Sequence, residues 1–136
     1  MTSLVSAHAD AARPAATVYA NIEDLSRWPE WSPDTEHVRL SGPFAAGTRG
    51  RMKLKGGPSL RFTITTVVPD REYTDVTWLP GARVTFQHLV EPATDGGSRL
   101  TADVSIRGPL AFVWSRVLGP GFRKSVPADL ARLAAL

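Results

Sequence analysis

The chain has 136 residues, enough for one domain, 1–136, with a proper core. Hydrophobic residues make up 43% and charged residues 21%, which excludes wholesale disorder, and the absence of cysteine excludes disulfides, thiolate metal ligands and a cysteine nucleophile. The formal charge of +3 is carried almost wholly by arginine; most arginines are scattered singly and read as a solvated surface, and only the run RGRMKLK at 49–55 is dense.

No stretch of about 18 apolar residues is present, so no membrane span is expected. The N-terminal residues lack a basic start followed by an apolar run, so no signal peptide is expected either, and a cytoplasmic location follows. Residues 3–9 read as a first strand. Pro14 opens a helix carrying Ala15, Ala16, Val18, Tyr19 and Ile22, and Asp24 caps a second short helix at 25–28. Pro29 and Pro33 bar a regular continuation, which predicts a rigid, irregular setting for Trp28 and Trp31.

From Glu36 the apolar period switches to two. Val38 and Leu40 alternate with His37 and Arg39, and residues 48–54 alternate again, with the basic side chains on one face. Four further alternating runs follow. Their predicted inward residues are Leu60, Phe62, Ile64 and Thr66; Thr74, Val76 and Trp78; Val84, Phe86, His88 and Val90; and Leu100, Ala102, Val104 and Ile106. Gly56-Gly57-Pro58, Pro69-Asp70, Pro80-Gly81 and Asp95-Gly96-Gly97 are the turns between them. Short turns make neighbouring strands antiparallel, and one apolar face per strand means that one side of the sheet is covered.

The cover is the last element, residues 108–136. Leu110, Val113, Trp114, Val117, Leu118, Phe122, Val126, Leu130, Leu133 and Ala134 recur at three-four spacing, the mark of a helix with one buried stripe. Pro109 falls in its first turn, where a missing N–H costs nothing. Gly119-Pro120-Gly121 and Pro127 predict a kink or short break. The fold class is therefore α+β: a curved seven-stranded antiparallel sheet around a long C-terminal helix, with two short helices between the first two strands. A cavity is expected between sheet and helix.

This order resembles the START-like helix-grip superfamily, and within it the polyketide cyclase/dehydrase-type (SRPBCC) branch. The residues carrying the likeness are DLSRWPEWSP at 24–33, GTRGR at 47–51, Val90-Glu91-Pro92, DGGSRL at 95–100 and GPLA at 108–111. The resemblance implies a pocket for a lipid, polyketide or other aromatic molecule, with no cofactor. The branch is mixed in activity, so its fold does not fix a reaction.

Among polar residues His88 stands out, because alternation puts it on the face toward the expected cavity. It is the candidate acid or base, with a core histidine as the bland alternative. The candidate ligand wall comprises Trp31 before the second strand, Phe62, Ile64, Val76, Trp78, Phe86, Val104 and Ile106 on the strands, and Trp114, Val117 and Leu118 on the helix. Parity puts Asp75 and Asp103 on the outer face, and Tyr19 and Tyr73 have no evident partner. The three histidines show no metal spacing, so no metal site is expected. Three functions fit: binding of a small hydrophobic molecule, a cyclase/dehydratase-type enzyme using the same cavity, or an interaction module with a filled core acting through the basic hairpin. No nucleic-acid partner is expected, and the oligomeric state stays open, a homodimer included.

Overall fold

A computed structural model describes residues 2–136. Seven strands form one antiparallel sheet: β1 (Thr2–Ala11), β2 (Thr35–Leu40), β3 (Arg49–Leu54), β4 (Ser59–Val68), β5 (Glu72–Leu79), β6 (Ala82–Pro92) and β7 (Ser98–Arg107). Their spatial order is β1-β7-β6-β5-β4-β3-β2. Strands β2 to β7 thus form a meander, and β1 closes on the far side of β7. Between β1 and β2 lie α1 (Ala15–Glu23), a 3-10 turn (Leu25–Arg27) and α2 (Trp28–Trp31), and the chain ends in α3 (Ala111–Ala135). This is the helix-grip fold.

The WPEW segment is helical rather than irregular. Asp24 accepts a hydrogen bond from Ser26 N at 3.1 Å and opens the 3-10 turn. Pro29 then sits at the start of α2, where its missing N–H is not needed. One turn suffices to bury both Trp28 and Trp31.

Helix α3 starts at Ala111, after Pro109 rather than around it: residues 108–111 form a separate turn, closed by Ala111 N donating to Gly108 O at 3.0 Å, and Leu110 is the N-cap. It runs unbroken through Pro120 and Pro127. Seven residues apart, these prolines share one exposed side, where water can satisfy the carbonyls they leave unbonded. The stripe facing the sheet is Trp114, Leu118, Phe122, Val126, Leu130 and Leu133. Val113 and Val117 fall beside it and are exposed.

The α3 helix lies chiefly over β1 and β7. Its last turns, with Leu130 and Leu133, join the main core with α1, α2 and the sheet, while Trp114, Leu118 and Phe122 cover a smaller cluster of Leu4, Ala82, Val84, Val104 and Ile106. Its start is latched to the β5–β6 turn: Leu110 N donates to Gly81 O at 2.9 Å and Trp114 Nε1 donates to Pro80 O at 2.8 Å. No helix of the described residues is long and apolar enough to cross a membrane.

Candidate functional site

The inner face of the sheet is mostly the one the alternation indicated. Phe62, Ile64, Val84, Val104 and Ile106 are buried, and Phe86 meets Phe122 of α3 edge to face at 5.5 Å. Strand β5 is the exception: its inward residues are Tyr73, Asp75 and Thr77. The register fixes this, since Tyr73 pairs with His88, Asp75 with Ile64 and Phe86, and Thr77 with Phe62 and Val84. Two of the residues expected on the cavity wall therefore stand on the outer face: Val76, between Thr63 and Thr85, and Trp78, which is 49% exposed. Asp75, expected outside, is inside. Apolar alternation fails here because the polar side chains of β5 are the buried ones. On α3, Trp114 and Leu118 face the core, and Val117 is 64% exposed.

The inversion gathers a polar cluster in an aromatic shell. Tyr73 donates its hydroxyl proton to Asp75 Oδ2 at 2.7 Å. His88 lies alongside, its ring 6.1 Å from that of Tyr73 and 5.9 Å from that of Trp31, centroid to centroid. Phe44 stacks on Tyr73 at 5.2 Å, Trp28 meets Tyr73 edge to face at 5.6 Å, and Trp28 also stacks on Phe62. The Phe62 ring can lie there because Gly50, its partner on β3, has no side chain: a Cβ would come within 2.5 Å of Phe62 Cζ. The Trp28 indole is spent on Ile22 O, at 2.8 Å. Trp31 Nε1, Thr77 Oγ1 and His88 Nδ1 are buried with no hydrogen-bond partner among the described residues.

Burial sets the protonation states. It raises the Asp75 carboxyl to about 7, with the Tyr73 hydrogen bond pulling weakly the other way. It lowers the His88 imidazole to about 4, so that histidine is neutral at physiological pH. Tyr73 is pushed well above its ordinary value, first by burial and then by the Asp75 charge, and stays a donor. Tyr19 donates to Glu72 O at 2.8 Å and is raised to about 12, mainly by burial. Asp75, Tyr73 and Thr77 were missed by the sequence reading. The available signal was an acid flanked by a tyrosine and a threonine at every second position, Tyr73-x-Asp75-x-Thr77, in a central strand.

Two recesses are described. One, of about 830 Å³, is lined by residues of the outer face such as Arg39, Arg51, Arg61 and Trp78; the other, of about 210 Å³, lies among Val68, Arg71, Glu72, Leu89, Val90 and Glu91. The cavity expected between sheet and α3 is not one of them.

Among curated proteins none matches the sequence. Solved structures share the fold. Protein MLL2253 from Mesorhizobium loti superposes with a TM-score of 0.78 at 16% identity, over 96% of this chain and 93% of that one. TTHA0849 from Thermus thermophilus gives 0.73 at 15% identity, over 96% and 94%. The di-domain ARO/CYC BexL of the BE-7585A biosynthetic pathway gives 0.78 at 17% identity; all of this chain is covered, but only 47% of that one. A sequence profile described as polyketide cyclase / dehydrase and lipid transport matches residues 3–136, from β1 through the last turn of α3. The match spans the sheet, the aromatic shell and the grip helix together, and the chain belongs to that polyketide cyclase/dehydrase and lipid transport family.

Proposed function

We propose that the protein binds a small, flat, apolar molecule carrying a hydroxyl or carbonyl group, held between the sheet and α3. The observation that carries this reading is the polar cluster on the inner face. Burying a donor or acceptor without a partner costs about 1–3 kcal/mol, and Trp31 Nε1, Thr77 Oγ1 and His88 Nδ1 are three such atoms: Thr77 is two residues from Asp75 on β5, His88 pairs with Tyr73 across the strands, and the Trp31 ring lies against that of His88. A ligand oxygen reaching them would recover that cost. Phe86 and the rings around Tyr73 would supply the apolar contact, at roughly 25 cal/mol per Å² buried. Ile64, Val104 and Ile106 belong to the same wall. Access would require the first half of α3 to release its latch on Pro80 and Gly81. The family description, which names lipid transport, supports the same reading.

The test compares two neutral probes, 2-naphthol and naphthalene. The wild-type protein is expected to prefer the naphthol by about tenfold, the worth of one hydrogen bond. Thr77→Val and His88→Phe should erase the preference while keeping naphthalene affinity. Equal affinity of both probes for the wild-type protein would sink the reading.

A second reading, proton transfer to or from the ligand, is favoured by one observation: a carboxyl buried and poised at about 7. His88, the residue that alternation nominated, would act as a neutral hydrogen-bonding group, because its low pKa makes it a weak base. Asp75 would take the proton from a carbon next to a ligand carbonyl; the C–H electron pair would form a C=C bond as the carbonyl π pair moves onto the oxygen, facing the free donors. Deuterium uptake from D2O into the methyl group of 2-acetylnaphthalene measures this. Asp75→Asn should abolish the uptake and leave binding intact.

A further inference from the structure

The outer face of the sheet carries a feature that the interior does not use. The register sets Arg39 opposite Arg51, and Arg51 opposite Arg61. Phe62 pairs with Thr77, which brings Arg61 and Trp78 to the neighbouring position on the other face. Trp78 faces Arg83, and Arg83 faces Arg107. The result is one row across β2 to β7, with arginine at five positions and tryptophan at the sixth. At about 4.8 Å per strand the row is about 24 Å long.

Like charges set directly opposite one another destabilise a sheet. Carboxylates could relieve the repulsion, yet among the described residues the ion pairs engage Arg27, Lys53 and Arg132 and none of the row's arginines. Lys53, on the same hairpin, is turned to Glu36 at 3.5 Å. Apart from Glu36, which is paired with Lys53, the acids of this face lie toward the other end of the strands: Glu72 opposite Leu89, Asp103 opposite Gln87, and Glu91 and Asp10 on either side of Arg99. The face is therefore split into a basic end and an acidic end.

The basic end is also shaped. Arg39, Arg51 and Arg61, with Arg49 one position away, line the groove of about 830 Å³, and Trp78 forms part of its wall. That volume suits a ligand of several hundred daltons. The guanidinium fork matches phosphate oxygens two at a time. The Trp78 ring has the Arg83 guanidinium 5.0 Å from its centroid and is still 49% exposed, a stacking surface for a second flat group.

We propose that this groove binds a nucleotide, its phosphates on Arg39, Arg51 and Arg61 and its base stacked on Trp78. An acidic peptide would use the arginines and leave the indole idle. A nucleic-acid strand would need a series of stacking platforms. The exposed tryptophan, tyrosine and phenylalanine rings among the described residues are Trp78 and Phe112, and Phe112 stands on α3; the smaller His37 imidazole also lines the groove. One indole beside three guanidinium groups fits one base with two or three phosphates. This site is independent of the interior cluster and stands or falls without it.

Calorimetric titration with ADP, adenosine and pyrophosphate tests the proposal, with a single-stranded oligonucleotide as the fourth probe. ADP is expected to bind at least tenfold more tightly than adenosine or pyrophosphate, and to weaken as salt is raised. Arg51→Gln and Arg61→Gln should each weaken ADP about tenfold or more. Their melting temperatures should equal or exceed that of the wild type, since each removes a like-charge contact, so the loss cannot be unfolding. Trp78→Leu should weaken ADP and leave pyrophosphate unchanged. Pyrophosphate binding as tightly as ADP, binding of the oligonucleotide alone, or ADP affinity indifferent to these substitutions would each overturn it.

Discussion

The Tyr73 hydroxyl and the Asp75 carboxylate lie 2.7 Å apart on the buried face of β5, and neither is near its ordinary titration range. Folded Asp75 titrates at about 7, against 3.8 for a free aspartate. Between those values the folded chain keeps a proton that the unfolded chain has lost, so stability falls as the pH rises through the window. The full cost above pH 7 is about 4 kcal/mol. Asp75→Asn removes it and can keep the bond from Tyr73. In urea unfolding, the variant's advantage over the wild type is expected to grow steadily from pH 4 to pH 7. A constant difference would show that the carboxyl is not buried as described.

His88 has the opposite sign. It titrates at about 4 when folded and at 6.5 when free, because burial disfavours its cation. Here the unfolded chain holds the extra proton, so stability is complete above about 6.5 and is lost as the pH falls toward 4, by about 3 kcal/mol. In the wild type the two slopes offset each other over most of this range. His88→Gln is therefore expected to show a stability that declines with rising pH between 4 and 6.5, relative to the wild type. Asp129, raised to about 6 mainly by burial, adds a slope of its own, and comparison at each pH cancels it.

The architecture was largely legible. Strand alternation, turn glycines and the three-four spacing of residues 108–136 are local signals, and they led to the antiparallel meander of β2 to β7 and the grip helix, while the pairing of β1 with β7 is a long-range contact that they do not encode. The site was legible only in part. Alternation read β5 with Val76 and Trp78 inward because it assumes that the apolar face is the buried one, and at Tyr73, Asp75 and Thr77 that assumption fails. His88 was placed correctly because its strand neighbours Phe86 and Val90 are apolar. The face of α3 was misjudged at Val117 because an apolar stripe wider than the contact does not say which edge is covered. The arginine row was invisible in the sequence: its members are far apart along the chain, and only cross-strand register aligns them.

Gly50 tests the aromatic shell. A methyl group there would meet Phe62 Cζ at 2.5 Å, Leu40 Cδ2 at 2.9 Å and the Arg39 carbonyl oxygen at 2.9 Å. The side chains could shift, but the carbonyl belongs to the β2 backbone and cannot move freely. Gly50→Ala is expected to cost about 1–3 kcal/mol in urea unfolding, despite the better strand propensity of alanine. Displacing Phe62 should also change the near-ultraviolet circular dichroism of Trp28, on which it stacks. A variant as stable as the wild type would mean that the ring does not lie over Gly50.

Ligand access, as proposed, turns on α3. Its far half is anchored by Leu130 and Leu133, which are fully buried, while its near half buries only Gly119 and is held by Trp114 Nε1 on Pro80 O. Pro120, between Gly119 and Gly121, removes the hydrogen bond to the Arg116 carbonyl and is the natural point of flexure. Trp114→Phe deletes the side-chain bond of the latch, leaves the Leu110 N to Gly81 O bond and keeps an aromatic ring, so it should speed both uptake and release of the neutral dye N-phenyl-1-naphthylamine with little change in Kd. Pro120→Ala restores the helical bond and should slow both steps. Stopped-flow fluorescence separates these rates from affinity. If neither substitution changes the rates, the ligand does not pass beneath α3, and the polar cluster on β5 is served by another route.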